Sequence, residues 1–280
     1  MVLRIGQIQY ANCIPIFTAL KRNHDCKHYR FVTGAPTRLN HMLSIGAIDL
    51  CPCSSIEYGR SPGSYFLFPE LSISSFGPVR SVILFSTLPL QELDGEQIAL
   101  TTESASSVAL LKIILRLYLG FSNRFVGVRV TDPETVFRSC RAVLVIGDTA
   151  LKWSGRKTGF YHRYDLGELW YALTGLPFVF ALWMIRAETV AAQPLESARI
   201  CDRLLAAKRY ALSNLDRMAD ELAESDWMER NELLSYWKTI SYDLTESHLK
   251  GVNLFFRSAA RLGILAEEPA LRFFRTSEGR

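Results

Sequence analysis

GAPTRLNHMLSIGAIDLCPCSSIEYGR, residues 34–60, holds a helix, a buried strand and the start of a second helix. Pro36 stands at the first helical position and Gly46 stands just past the last one, which is where helices favour these residues. The apolar segment that follows predicts a strand, and Ser54 with Glu57 three positions later has the spacing of a capping box. This stretch therefore predicts a strand that connects two helices, which is the unit of an α/β fold.

The residues before this stretch repeat the same order of strand and helix. LRIGQIQY at residues 3–10 predicts a strand, and the apolar spacing from Ile14 to Leu20 predicts a helix that begins near Pro15. HYRFVTG at residues 28–34 predicts a second strand. Three strand-and-helix units within residues 3–60 predict a parallel sheet with right-handed crossovers.

Long apolar segments interrupt this alternation and predict a chain with two lobes. Residues 66–75 and 79–86 contain little helix-forming sequence, and a second alternation of strands and helices follows them. PFVFALWMIR, residues 177–186, predicts another long strand, and the spacing of apolar residues beyond Ala187 is helical. We therefore predict a first lobe of residues 1–85 plus 186–280, with a helical C-terminal tail, and a second lobe of residues 86–185.

Composition and charge narrow the class of protein. The 49% hydrophobic and 21% charged content is typical of a globular chain, and no run of about 18 apolar residues predicts a membrane span. The net charge of +4 comes from scattered basic residues, which favours a small anionic ligand over nucleic acid. Without a recognisable signal peptide, six cysteines among mostly apolar neighbours predict a cytoplasmic protein with reduced thiols.

Uncharged polar side chains stand where predicted strands give way to helices, at the sheet edge where α/β proteins bind ligands. Asn12 follows the first strand and either caps the next helix or offers its amide to a ligand. Helix starts attract anions, so hydroxyls there predict carboxylate sites, although capping alone is the alternative. The other candidates are Ser54, Ser55, Ser81, Thr102, Ser106, Ser107 and the acidic Asp148. Ser104, at the start of the helix that carries Ser106 and Ser107, is interpreted as a cap or as part of a ligand site.

Two of these candidates carry further alternatives. Ser81 lies in an apolar strand, where a small core residue is the ordinary interpretation. Asp148, which follows a buried strand, is interpreted first as a helix cap and otherwise as a positioning group or an acid catalyst.

The sequence favours neither a metal site nor a hydrolase. The five histidines form no pair at i and i+4, and no P-loop or G-x-G-x-x-G motif occurs, so no metal or nucleotide cofactor is expected. GRSPG at residues 59–63 matches G-x-S-x-G, but no strand precedes it and Pro62 follows the serine. A nucleophile elbow needs a strand before the serine and a helix after it, so this match does not predict one.

Several segments in this order resemble the chorismate dehydratases of the futalosine route to menaquinone, a branch of the type II periplasmic-binding-protein fold. The likeness runs from about residue 3 to residue 186, and its order and spacing are more specific than any one segment. The segments are YANCIPI, GAPTRLNHMLSIGAIDLCPCSSIEYGR, FGPVRSVILFSTLPLQEL, ESASSVALLKIIL, VLVIGDTAL and YDLGELWYALTGLPFVFALW.

The resemblance implies a two-lobed α/β fold with a ligand cleft between the lobes, and a lyase that converts chorismate to 3-[(1-carboxyvinyl)oxy]benzoate and water. The family usually has a Tyr-Leu-Asn triplet at its first loop, where this chain has Tyr10, Ala11 and Asn12. On this hypothesis Asn12 and Ser81 are catalytic, and the other candidates bind the substrate. We expect the lobes to close on the ligand. The base that removes the ring proton stays open, and a carboxylate of the substrate is one possibility.

Two alternatives remain at this point. A protein of the same fold that binds a small anion without catalysis would share the predicted cleft. The related 1,4-dihydroxy-6-naphthoate synthase would be expected to use a histidine as base, for which His162 is the nearest candidate.

Overall fold

The computed structural model describes residues 2–129, 133–155, 162–222 and 228–275, which form two five-stranded sheets with helices around them. The strands are β1 Leu3–Ile8, β2 Tyr29–Gly34, β3 Leu50–Ser54, β4 Tyr65–Ser75, β5 Val82–Ser86, β6 Gln97–Thr101, β7 Arg124–Val128, β8 Ala142–Ile146, β9 His162–Asp165 and β10 Phe178–Arg186.

Helices connect these strands and form the last third of the chain. They are α1 Ile14–Asn23, α2 Pro36–Ser44, α3 Ser55–Arg60, α4 Ala105–Ile113, α5 Pro133–Val136, α6 Gly147–Ser154, α7 Leu166–Thr174, α8 Ala187–Ala192, α9 Pro194–Leu212, α10 Leu215–Leu222, α11 Arg230–Thr239 and α12 Glu246–Arg261. A one-turn 3-10 helix, Ala11–Cys13, leads directly into α1, and a π-helical turn, Ile114–Tyr118, continues α4. No helix in these described ranges is both long and apolar enough to cross a membrane.

Both sheets are mixed rather than wholly parallel. The first has the order β2-β1-β3-β10-β4, in which β1 pairs in parallel with β2 and β3, as predicted. The long strand β10 runs antiparallel between β3 and β4. The second has the order β7-β6-β8-β5-β9, in which β6 is parallel to its neighbours and β5 is antiparallel to β8 and β9.

Strand pairing differs from the predicted lobe boundaries. Residues 82–85 were predicted in the first lobe, but β5 pairs within the second sheet. Residues 178–185 were predicted in the second lobe, but β10 pairs within the first sheet. Both strands are apolar and buried, and hydrophobicity alone does not encode which neighbour a strand pairs with. We infer lobe boundaries within residues 76–81 and 175–177, where the chain passes from one sheet to the other.

The first crossing is held by a buried carboxylate. The Asp165 side chain caps α7 by accepting hydrogen bonds from the backbone N–H groups of Gly167 and Glu168 at 2.8 and 3.2 Å. It also accepts from the N–H groups of Val79, at 3.0 and 3.1 Å, and of Arg80, at 2.6 Å. One side chain therefore joins the start of α7 to the segment that leads into β5.

The same contact explains a glycine in the DLG sequence. A Cβ atom on Gly167 would lie 2.5 Å from the carbonyl oxygen of Gly77 and 2.8 Å from Oγ of Ser75. Because backbone atoms cannot give way as a flexible side chain does, the close approach of α7 to the crossing requires glycine here.

The helical tail packs on the first sheet, as predicted, and also reaches the turn that follows β1. Helix α9 packs against α1 and β4, and α11 contacts the Ala11–Cys13 turn. The segment after α11 is fixed to β4, because Ser74 exchanges backbone hydrogen bonds with Ser241 and Lys208 pairs with Asp243 at 2.8 Å. The tail thus places α11 firmly beside the ends of the central strands.

Candidate functional site

A cleft lies between the two lobes. Its walls are mostly apolar, and they come from residues of both sheets and of the helix starts: Ile8, Pro36, Ile73, Val79, Val82, Ile146, Gly147, Phe180 and Ala181. Its polar lining consists of uncharged groups: Tyr10, Asn12, Ser54, Ser81, Ser104 and Ser107. All six of these side chains can donate a hydrogen bond.

Asn12 lies in the Ala11–Cys13 turn and does not cap a helix. The capping positions of this turn and of α1 are Tyr10 and Cys13, and neither position has a side-chain capping bond. The Asn12 Oδ1 atom is buried and has no hydrogen-bond partner among the described residues. Because buried polar atoms are nearly always hydrogen-bonded, this unpaired acceptor at a cleft wall is available to a ligand.

The backbone around Asn12 is held by three side chains from distant parts of the chain. Trp237 Nε1 donates to the carbonyl oxygen of Ala11, and the Tyr242 hydroxyl donates to that of Asn12, both at 2.8 Å. The Ala11 N–H donates to Oδ1 of Asp148 at 3.0 Å. The turn is thereby fixed between the tail and α6 of the second lobe.

The structure corrects the interpretation of Asp148 as a helix cap. Helix α6 is capped at Ile146 without a side-chain hydrogen bond, and Asp148 does not line the cleft. Burial raises the pKa of the Asp148 carboxyl, while the Ala11 N–H and the charge of Lys152 act in the opposite direction. Asp148 therefore connects the two lobes beside the cleft.

We expect Asp148→Asn to keep both the fold and the activity. Because the pKa of Asp148 is raised in the folded protein, its ionisation lowers the free energy of unfolding as pH rises through the folded-state pKa. An amide does not ionise, so Asp148→Asn avoids this loss of stability at neutral pH. The amide oxygen can still accept from the Ala11 N–H. Turnover should stay within about threefold of wild type, the range of a change below about 0.7 kcal/mol. The melting temperature at neutral pH should be equal or higher.

Steady-state kinetics and thermal unfolding of Asp148→Asn and Asp148→Ala would check this. The alanine variant, which loses the acceptor, should unfold at a lower temperature. A well-folded Asp148→Asn protein without turnover would instead assign Asp148 the role of acid catalyst.

Ser81 stands immediately before β5, and 2% of its surface is exposed. Its Oγ accepts a hydrogen bond from the Tyr236 hydroxyl at 2.9 Å, and its carbonyl oxygen accepts from the N–H of Gly147 at 2.8 Å. Its own hydroxyl donates to the Val79 carbonyl oxygen at a long 3.4 Å. Ser81 is therefore a cleft-lining hydroxyl with a firm donor on one side.

The serines at two helix starts face the cleft in different ways. Ser54 precedes α3, as predicted, but its side chain makes no capping bond, and Glu57 pairs with Arg60 at 2.6 Å instead. The predicted capping box at Ser54 is therefore wrong. Ser104 does cap α4, because its Oγ accepts from the Ser107 N–H at 3.2 Å and donates to Oγ of Ser107 at 2.9 Å.

Besides Asp148, three further predicted binding residues do not line the cleft: Ser55, Ser106 and Thr102. Ser55 donates to the carbonyl oxygen of Val179 at 2.7 Å, and its Oγ lies 3.0 Å from Oγ of Ser106. Ser106 also accepts from the Ile56 N–H at 3.1 Å, so the two serines join α3 to α4. Thr102 is exposed and lies in a neighbouring groove. On a helix, residues adjacent to a cleft-facing serine point in other directions, which explains the difference.

Sequence reasoning missed a tyrosine and a glycine that shape the cleft. The hydroxyl of Tyr10 donates to Oε2 of Glu103 at 2.8 Å, a contact between the lobes. Gly147 has φ +62°, and a Cβ atom there would lie 2.9 Å from the Tyr10 ring. The triplet at residues 10–12 and the glycine in VIGD are the sequence features from which these two residues could have been identified. Tyr236 had none, because the tail carries no recognisable motif.

The electrostatic character of the cleft comes from backbone groups rather than charged side chains. Helices α2 and α6 begin at the wall residues Pro36 and Gly147, and the residues immediately before α3 and α4, Ser54 and Ser104, also lie in the wall. Free N–H groups and the helix dipole attract anions at such starts. The described lining contains no lysine, arginine, histidine or carboxylate. The site therefore suits an anionic ligand that is held by neutral donors.

Sequence comparison identifies two matches over most of the chain. The menaquinone biosynthesis family matches residues 3–261. A curated chorismate dehydratase of Thermus thermophilus is 31% identical over 265 residues, which cover 90% of this chain and 93% of that protein.

Solved structures with the same architecture have much lower sequence identity. Protein AF1704 from Archaeoglobus fulgidus superposes with a TM-score of 0.75 at 17% identity, covering 94% of this chain and 98% of that chain. The periplasmic aliphatic sulphonate binding protein SsuA from Escherichia coli superposes with a TM-score of 0.67 at 14% identity, covering 100% and 96%. These likenesses confirm the predicted periplasmic-binding-protein-like α/β fold.

Proposed function

The chain belongs to the menaquinone biosynthesis family, and on that premise we propose that it is a hydro-lyase that converts chorismate to 3-[(1-carboxyvinyl)oxy]benzoate and water. The relative of 31% identity is named for this dehydration. The observation in this chain that carries the proposal is the cleft itself, which combines neutral hydrogen-bond donors with several helix starts.

The reaction asks the protein for binding and alignment. The C–H bond at the ring carbon that bears the ether breaks, and its electron pair forms the new ring double bond. Hydroxide leaves the neighbouring carbon and takes up a proton to become water. Because the product ring is aromatic, the driving force lies in the substrate, and the protein has to fix the carboxylates and stabilise charge at the departing oxygen.

The cleft offers groups for both tasks. We assign the departing hydroxyl to Asn12, whose amide oxygen is unpaired, and to Ser81, whose hydroxyl donates only a long hydrogen bond to the Val79 carbonyl oxygen. Ser54, Ser104 and Ser107, together with the starts of α3 and α4, would hold the carboxylates. Ser55, Ser106 and Thr102 are left out of this assignment, because their hydroxyls are used elsewhere or lie outside the cleft.

A carboxylate of chorismate is the base that this cleft favours. Among the described residues that line it, the tyrosine hydroxyl of Tyr10 is the titratable group, and that hydroxyl already donates to Glu103. Burial and this hydrogen bond raise the pKa of Tyr10 well above its ordinary value, so it stays protonated. A substrate carboxylate held near the ring hydrogen would remove the proton without a protein base.

The two alternative functions fit the cleft less well. All five histidines lie in the described ranges and none lines the cleft, so the base expected of a 1,4-dihydroxy-6-naphthoate synthase has no counterpart there. A non-catalytic anion-binding protein would share the neutral donors. It differs in leaving its ligand unchanged, which makes turnover the deciding observation.

Incubation of the purified protein with chorismate tests the proposal. We expect chorismate to disappear and an aromatic product to accumulate, at the same rate with and without a metal chelator. Saturable binding of chorismate without any product would favour the anion-binding alternative and overturn the proposed function.

We also propose that the reaction takes place in the cytoplasm. The six cysteines all lie in the described part of the chain and are free thiols. Free thiols are the state that a reducing compartment maintains, which supports the location predicted from the sequence.

A further inference from the structure

We propose that Tyr236, from the helical tail, is a positioning residue that directs the hydroxyl of Ser81 into the cleft. The inference rests on the proposed function, because it assigns Ser81 a donor role at the departing oxygen of the substrate. It adds a part of the chain that neither the sequence motifs nor the cleft lining includes.

The direction of the hydrogen bond carries the argument. The Tyr236 hydroxyl donates to Oγ of Ser81 at 2.9 Å, so the lone pair of Ser81 on that side is occupied. The Ser81 hydroxyl then donates only weakly to the Val79 carbonyl oxygen, because the 3.4 Å between them is longer than an ordinary hydroxyl hydrogen bond. The remaining direction is the cleft, which Ser81 lines.

Tyr236 is suited to be a permanent donor. Its side chain is fully enclosed, with 1% of its surface exposed, and burial raises the pKa of its hydroxyl well above the ordinary value. The hydroxyl therefore stays protonated throughout the range in which the enzyme would be assayed. A hydroxyl that donates to a second hydroxyl also strengthens that second group as a donor.

The helix that carries Tyr236 is fixed to the catalytic segments on both sides. Trp237 Nε1 donates to the carbonyl oxygen of Ala11, beside Asn12. Ser235 Oγ accepts from Nη1 of Arg80, beside Ser81, at 3.1 Å. Three consecutive residues of α11 thus contact the two segments that supply Asn12 and Ser81, so the tail sets their relative position.

A role limited to filling the core would not explain the hydroxyl. Phenylalanine would supply the same ring, and a buried hydroxyl costs free energy unless it is hydrogen-bonded. The partner of the Tyr236 hydroxyl is Ser81, which lines the cleft. The contact that offsets the free-energy cost of burying this hydroxyl is therefore a contact with the site.

Kinetics of Tyr236→Phe, Ser81→Ala and the double variant test the proposal. We expect Tyr236→Phe to lower kcat about tenfold, which corresponds to the loss of one hydrogen bond of ordinary net strength, with KM within about twofold. In the Ser81→Ala background the same substitution should change kcat by less than about twofold, because Tyr236 would act through Ser81. Independent, multiplicative effects on kcat would overturn the proposal.

Tyr58→Phe is the matched control for stability. The Tyr58 hydroxyl is also hydrogen-bonded, donating to the Ala270 carbonyl oxygen at 2.8 Å and accepting from the Arg272 N–H at 2.7 Å, but neither partner lines the cleft. It should lower the melting temperature without lowering kcat. A Tyr236→Phe variant that behaves like Tyr58→Phe would show a structural role only and contradict the inference.

The two proposals fail in different ways. Wild-type protein without turnover would overturn the proposed function, and crystal structures of wild type and Tyr236→Phe would then decide the positioning inference. We expect Ser81 Oγ in Tyr236→Phe to turn toward the Val79 carbonyl oxygen and shorten that hydrogen bond. An unchanged Ser81 side chain would contradict the inference.

Discussion

Asn12→Asp should give a folded protein whose turnover of chorismate is reduced about a hundredfold to a thousandfold, or more. The substitution keeps the size of the side chain but replaces the amide with a carboxylate. It therefore removes a donor from the departing oxygen and adds a negative charge beside an anionic substrate. Because the Asn12 side chain caps no helix and has no partner among the described residues, the melting temperature should change little.

Comparison of Asn12→Asp with Asn12→Ala separates the two effects. The alanine variant loses the donor without gaining a charge, so it should lower kcat with a smaller rise in KM. Turnover and thermal unfolding would be measured for both proteins. Near-normal turnover of Asn12→Asp would remove Asn12 from the catalytic assignment and leave Ser81 as the donor to the departing oxygen.

Asp165→Ala should destabilise the protein by about 3 kcal/mol or more. The loss of a helix cap costs about 1 kcal/mol, and each buried N–H that loses its acceptor costs about 1–3 kcal/mol. Here the N–H groups of Val79 and Arg80 lose theirs together with the start of α7. For a protein of this size the change corresponds to a fall in melting temperature of roughly 6–12 °C.

Thermal and denaturant unfolding of Asp165→Ala would be compared with those of Asp94→Ala. Asp94 is exposed, and its Oδ1 accepts one backbone hydrogen bond, from Ser122 at 2.7 Å. That control should change the free energy of unfolding by less than about 1 kcal/mol. Equal effects of the two substitutions would show that Asp165 does not hold the crossing between the sheets.

Local sequence patterns predicted most of the strands and helices. Glycine and proline positions placed α2 correctly, and the apolar run before Ala187 predicted β10. The Asp165 cap of α7 is a contact of the same local kind, because its partners lie within three residues along the chain. The spacing of Ser54 and Glu57 located the start of α3 but did not predict that the Ser54 side chain makes no capping bond. A serine at this position can cap the helix or face a ligand, and the spacing does not distinguish the two.

The pairing of distant segments could not be predicted in the same way. Apolar residues fill both β5 and β10, so their sequences do not indicate which sheet each strand joins. Each strand belongs to the lobe opposite to the predicted one, as its hydrogen bonds to neighbouring strands show. The candidate site depends on contacts of the same kind. Tyr236 and Trp237 lie more than 150 residues from Ser81 and Ala11 along the chain, and no local pattern connects them.

Incubation with chorismate deuterated at the ring carbon that bears the ether tests the central claim most directly, with the mass of the product as readout. The account predicts a product that has lost water and the deuterium together, formed by wild type and nearly absent with Asn12→Asp. Recovery of unchanged chorismate, or a dehydrated product that retains the deuterium, would contradict it.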